Sequence, residues 1–242
     1  MHRYFLALFF SFIIYCTGQD LQIGLQPPSG YWNNTIIKFY LALGLVDLVD
    51  RSPEIPPNIE VFANIIFKET EQRPLKLDIY RKKNISKPAP VIVFIHGGSW
   101  KSGDKKDYLV YLLYFAEKGF ITASLSYRFL QEAIFPAAVE DVRCGVGWIK
   151  KYGISYGIDT NKVVLVGGSA GAHLAMMLAY SQDFQSCDTN NVSPRVQGVV
   201  NIYGPVDLTT DFAIAQPVLP EFIGDSYENM PTGYQDASPI SY

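Results

Sequence analysis

Histidine is scarce in this chain: the 242 residues hold three, His2, His96 and His173. With so few, and with no clustered His, Cys and Asp spacing of the kind zinc needs, no metal site is expected. No organic cofactor is implied either. Cysteine is equally sparse, at Cys16, Cys144 and Cys187, which excludes a disulfide-dense miniature scaffold. Long basic runs are missing. The nearest are Arg81-Lys82-Lys83 and Lys105-Lys106 in a chain of net charge -3, so no nucleic-acid partner is expected. No apolar run is long enough for a bilayer span. The longest, Tyr4–Tyr15, is apolar apart from Ser11 and follows His2 and Arg3.

That leading segment has the pattern of a signal peptide over residues 1–18. Cys16-Thr17-Gly18 offers small residues before a mature start at Gln19, and Tyr15 is too large to precede a lipidated cysteine. An uncleaved membrane anchor is the alternative. Three N-x-[ST] sequons, at Asn33, Asn84 and Asn191, suit glycosylation in a secretory, extracellular protein. Pro194 makes the third a poorer acceptor. In an oxidising compartment Cys144 and Cys187 form a candidate disulfide; two separate thiols are the alternative.

What is present is the composition of one globular domain, 48% hydrophobic and 18% charged. Residues 19–58 precede its core. They include an apolar-all-round helix over Thr35–Asp50, which packs on the domain, caps an active-site mouth or touches lipid. Over 59–242 strands and helices alternate. Strands are expected at Val61–Phe67, Leu75–Tyr80, Val91–Ile95, Ile121–Tyr127, Val163–Val166 and Val196–Ile202. Helices are expected at Asp107–Lys118, Pro136–Tyr152 and Ala170–Tyr180. The runs Val91–Ile95 and Val163–Val166 are wholly apolar, as strands covered on both faces are. The pattern predicts an α/β fold, a mostly parallel sheet with helices on both faces. From Asp207 onward the chain reads as loops and short helices.

Two motifs carry chemistry. Gly167-Gly168-Ser169-Ala170-Gly171 is a G-x-S-x-G between a strand and a helix. That context makes a nucleophile elbow, with Gly167 and Gly171 removing Cβ clashes and Ser169 as nucleophile. His96-Gly97-Gly98-Ser99-Trp100 follows the strand Val91–Ile95. Its glycines let backbone N–H groups approach a substrate oxygen. Gly98, Ser99 and Ala170 are the expected oxyanion donors, with Gly97 and His96 shaping the loop. His96 suits a loop-organising hydrogen bond better than a general base.

With these motifs in order, the chain resembles the α/β-hydrolase superfamily. It is most similar to the hormone-sensitive-lipase-like branch with HGG-x-W, which includes feruloyl-esterase-like proteins, kynurenine formamidases and prenylcysteine methylesterases. Leu77-Asp78-Ile79-Tyr80, Ser126-Tyr127-Arg128, Tyr156-Gly157-Ile158-Asp159 and Tyr203-Gly204-Pro205-Val206-Asp207-Leu208 extend the likeness from Phe62 to Tyr242. The resemblance implies ester hydrolysis of a small molecule through an acyl-enzyme on Ser169. It also implies a triad whose Asp and His follow later strands. No histidine here occupies that place. His173, one turn beyond Ser169 on the same helix, suits a buried structural role, and Asp207 suits a local cap. The expectation is therefore a truncated hydrolase lacking its last strands, with an exposed sheet edge. A non-catalytic binding module on the same fold and an amide or formamide hydrolase are the alternatives. Oligomeric state is not legible.

Overall fold

The apolar pentapeptide Val91–Ile95 has no polar side to offer solvent, so it becomes the centre of the sheet around which the rest is laid. In a computed structural model, which describes residues 53–181, 187 and 195–242, it forms β3 (Ala89–Ile95). The remaining strands are β1 (Ile59–Lys68), β2 (Leu75–Lys82), β4 (Ile121–Leu125), β5 (Ile158–Gly168) and β6 (Gly198–Ile202). They form one six-stranded sheet in the order β1-β2-β4-β3-β5-β6. β2 runs antiparallel to both of its neighbours, β1 and β4, while β4, β3, β5 and β6 run parallel to one another. Parallel neighbours need crossovers, and the helices between them supply the cover.

Those helices take opposite faces. α1 (Leu109–Glu117) buries Leu109, Leu112, Leu113 and Ala116 against Tyr80 and Phe94. α2 (Ala137–Tyr152) and α3 (Ala170–Tyr180) pack on the other face, where Val142, Val146, Leu174 and Leu178 meet Leu77, Val93 and Leu165. The two faces divide by alternation: odd-numbered residues of β3 point at α2 and α3, and Phe94 points at α1. α3 is buried from Ala170 to Leu178, as a helix apolar all round must be.

Ion pairs fasten the ends of the strands. Asp141, fully buried on α2, receives Lys68 at 2.6 Å and the Arg128 guanidinium at 2.7 and 2.8 Å. Asp78 of β2 is paired with Lys105 and accepts the N–H of Asn64 at 2.6 Å, where β1 bulges. Lys105 lies just past the His96–Trp100 loop, so this pair also ties down that loop's exit. Cys144 of α2 and Cys187 are bonded through their sulfurs.

After β6 the chain forms α4 (Asp211–Ile214), α5 (Val218–Ile223) and α6 (Pro231–Asp236). The loop-and-short-helix reading of this stretch holds. Their anchors are local: Thr210 caps α4 by accepting from Ala213 N–H, and Ser238 Oγ accepts from Leu208 N–H at 2.8 Å.

One expectation needs correcting. β5 is not covered on both faces. Val163 and Leu165 are buried, but Val164 and Val166 are only half-buried, and Val200 and Ile202 of β6 are exposed. α1 reaches across β2 and β4 but leaves the β5–β6 side open. Apolarity alone could not reveal this, because a bare apolar strand reads like a covered one. β5 also begins at Ile158 rather than Val163; its first turn is polar and solvent-facing at Asn161 and Lys162.

The chain divides into two units, Met1–Asp50 and Arg51–Tyr242. The expected signal peptide, the Thr35–Asp50 helix, Asn33 and Asn191 lie outside the described residues. Among the described residues no helix is long and apolar enough to cross a membrane.

Candidate active site

Ser169 stands at the tip of β5 and caps α3. Its φ of 53° and ψ of -123° place a non-glycine residue where side chains rarely go, a strain of about 1–3 kcal/mol. The surrounding sequence tolerates the turn. A side chain at Gly171 would collide with the carbonyls of Ile95 and His96, and one at Gly167 with the Gly171 backbone. Ser169 N–H donates to Ile202 O of β6 at 3.0 Å, and Ser169 O accepts from His173 N–H at 3.1 Å.

The loop after β3 passes beside this tip. A Cβ at Gly97 would lie 2.8 Å from Gly168 O and 3.5 Å from Ser169 Cβ, so glycine alone allows the approach. Gly98, Ser99 and Trp100 all have positive φ, at 108°, 53° and 56°. The turn closes with Lys101 and Ser102 N–H groups donating to Gly98 O at 3.0 and 3.1 Å. Among the described residues, the N–H groups of Gly98, Ser99 and Ala170 take no part in turn and loop hydrogen bonds. Among the described residues they are donors without a protein acceptor, and they flank a half-buried serine.

Neither described histidine hydrogen-bonds the Ser169 hydroxyl through its ring. His96 is buried with its ring stacked on Tyr127, and its Nδ1 donates to Gly97 O at 2.9 Å. Nε2 is buried without a partner among the described residues. Burial lowers its pKa, with the Gly97 contact opposing. The Tyr127 hydroxyl donates toward His96 O and Gly97 O at 2.9 and 3.2 Å. His96 is therefore part of the loop's scaffolding. His173 is fully buried. It accepts from the Trp100 indole at 3.2 Å and donates to Ala237 O at 2.7 Å. Burial holds its pKa down to about 4. Asp207 is turned into its own segment, accepting from Thr209 N–H and Oγ1–H at 2.8 and 2.7 Å. Those bonds lower its pKa.

Trp100, Ser169, Tyr203, Val206, Ala213 and Leu219 border a cleft of about 560 Å³. The sequence reading missed this use of the tail. α4 and α5 have apolar faces too short to show a period, yet they build the cleft's far wall. Among the residues bordering the cleft, Asp207 is the one ionisable acid or base apart from Tyr203.

Known proteins are similar to this chain in sequence and in fold. A family model described as BD-FAE matches residues 77–242. Esterase LipQ of Mycobacterium tuberculosis is 33% identical over 180 residues, covering 69% of this chain and 42% of LipQ. A probable isoprenylcysteine alpha-carbonyl methylesterase of Oryza sativa subsp. japonica is 28% identical over 145 residues, 60% of this chain and 34% of that protein. The chain thus spans less than half the length of these relatives. In fold it is similar to Thermogutta terrifontis esterase 2, with a TM-score of 0.63 over 78% of this chain and 67% of the other, at 24% identity.

Proposed function

This chain belongs to the BD-FAE family of α/β-hydrolases, and from that premise we propose that it hydrolyses carboxylic esters with Ser169 as nucleophile. The observation that carries the reading is the left-handed Ser169, set at a strand–helix turn beside the acceptor-free N–H groups of Gly98, Ser99 and Ala170. Ser169 Oγ attacks the ester carbonyl carbon. The carbonyl oxygen takes the negative charge, and the three N–H groups stabilise it. The carbon–oxygen bond to the alcohol then breaks, the alcohol leaves with a proton, and water releases the acid from the acyl-enzyme. A serine hydroxyl is a weak nucleophile without a base. His96 and His173 are both committed elsewhere, so neither is placed to serve as that base.

The cleft suggests what enters. Its walls of Trp100, Val206, Phe212, Val218 and Leu219 are apolar, and it holds no basic side chain. A neutral ester with an apolar acyl or alcohol group fits; a free carboxylate or phosphate finds no cation there.

A fluorophosphonate probe tests the nucleophile. The parent chain should be labelled at Ser169, and Ser169→Ala should not be. Failure of the parent to react favours a non-catalytic binding module, the reading that the two committed histidines support. Small acetate esters compared with N-formyl aryl amides then decide between ester and amide cleavage. We also assign the chain to the secretory pathway. Supporting this are the bonded Cys144 and Cys187 and the sequon at Asn84, which is exposed in the turn after β2. A mass loss at Asn84 on glycosidase treatment of protein from eukaryotic cells is the expected result.

A further inference from the structure

Ser99 and Trp100 are consecutive residues with side chains, and both have left-handed backbone. Each needs outside support against about 1–3 kcal/mol of strain. The Trp100 side chain shows where that support lies. It is 4% exposed and stacks on Phe222 of α5 at 4.3 Å between ring centroids. It meets His173 edge-on at 5.1 Å, and its indole N–H donates to His173 Nδ1 at 3.2 Å.

An indole N–H can only donate, so His173 Nδ1 carries no proton. The ring proton sits on Nε2, where it is donated to Ala237 O at 2.7 Å. This neutral tautomer is the one state that satisfies both nitrogens; an imidazolium would set N–H against N–H. The carbonyl of Ala237, which directly follows α6, thus fixes which nitrogen of a histidine on α3 is free to hold Trp100. His173 is also bonded through its own N–H to Ser169 O at 3.1 Å. One residue therefore touches both the turn that carries Ser169 and the ring that anchors the loop beside it.

We propose that His173 is a positioning residue: fixed as the Nε2–H tautomer by Ala237, it clamps Trp100 and so keeps the Gly98 and Ser99 N–H groups in register with Ser169. This rests on the reading of Ser169 as nucleophile and extends it to the tail of the chain. A segment away from the reacting atoms sets the geometry of the donors.

Two substitutions separate the bonds. In His173→Asn the amide oxygen stands near the old Nδ1 position and can accept from Trp100. In His173→Gln the amide nitrogen can reach Ala237 but leaves Trp100 no acceptor. Trp100→Phe keeps a ring and loses the donor. In the full chain, well below each variant's Tm, two readouts are followed: the amide resonances of residues 97–102, and the rate of Ser169 phosphonylation by a fluorophosphonate. His173→Gln and Trp100→Phe should shift the Gly98 and Ser99 amides while those of β1 stay in place. They should slow labelling about tenfold, the loss of one buried hydrogen bond, and the double variant should be no slower than either single. His173→Asn should recover most of the lost rate. Unmoved Gly98 and Ser99 resonances in His173→Gln overturn the proposal, as does a loss of rate that follows Tm alike in all variants. A parent that does not react overturns the nucleophile reading instead, and the amide resonances then decide the clamp by themselves.

Discussion

Trp100 and Tyr203 both border the cleft at Ser169. Both have left-handed backbone, with φ of 56° and 47°, yet Trp100 is 4% exposed and Tyr203 78%. The same backbone strain is supported in two ways. At Trp100 the side chain does the holding, through Phe222, His173 and the Leu130 N–H that donates to Trp100 O at 2.9 Å. At Tyr203 neighbouring residues hold the turn: Gly204 N–H donates to the Asn201 side-chain Oδ1 at 2.7 Å, and Ser169 N–H to Ile202 O at 3.0 Å. The open side continues into an apolar groove of about 610 Å³ lined by Tyr108, Tyr111, Tyr114, Val200 and Ile202. Burial, not residue type, separates the rigid border of the site from the loose one.

The difference is broken most severely by deleting the buried ring. Trp100→Ala should cost about 3–5 kcal/mol in urea unfolding, whereas Tyr203→Ala should stay within about 1 kcal/mol. Equal losses would mean that exposure does not tell the two supports apart. Next in size is the link between Cys144 and Cys187, which fastens α2 away from both rings. Replacing both with Ser should lower stability by about 2–4 kcal/mol and leave phosphonylation of the folded protein unchanged. Acid is a comparable lever, and on the Trp100 side it acts through His173. The unfolded chain protonates His173 below its ordinary value of 6.5, and the folded chain does so only near 4. Stability is therefore full above pH 6.5 and falls as pH drops from 6.5 to 4, by about 3 kcal/mol. His173→Asn should flatten that slope, leaving the smaller part due to His96, whose pKa burial also lowers. The smallest effect is a gain: Tyr203→Gly relieves the left-handed strain where little packing is lost, and should raise stability by up to about 1 kcal/mol.

Much of this was legible from residue order. The parallel strands announce themselves because β3 and the end of β5 are apolar without interruption. The elbow does so because Gly167 and Gly171 are needed for a crossing that no side chain permits. Less legible was anything that depends on distant contact. His173 and Trp100 are 73 residues apart, and nothing local distinguishes a histidine that holds a tryptophan from one that fills a core. His96 could be read as loop scaffolding, but its stacking on Tyr127 could not. The tail hid its role for another reason: α4, α5 and α6 are too short to show a helical period, so their contribution to the cleft appears only once Leu219 and Phe222 are seen against Trp100.

The hydrogen bond from Ser169 N–H to Ile202 O ties the elbow's backbone to β6, the terminal strand of the described sheet. Terminal strands open more readily than central ones. Each opening of β6 frees the Ser169 amide to trade its proton with solvent, although β5 beneath it stays closed. Ser169 should therefore keep the time of the sheet's margin rather than that of its centre. Its deuterium uptake should match that of β6 and outpace that of Val93, and any strand laid along β6 should slow both together.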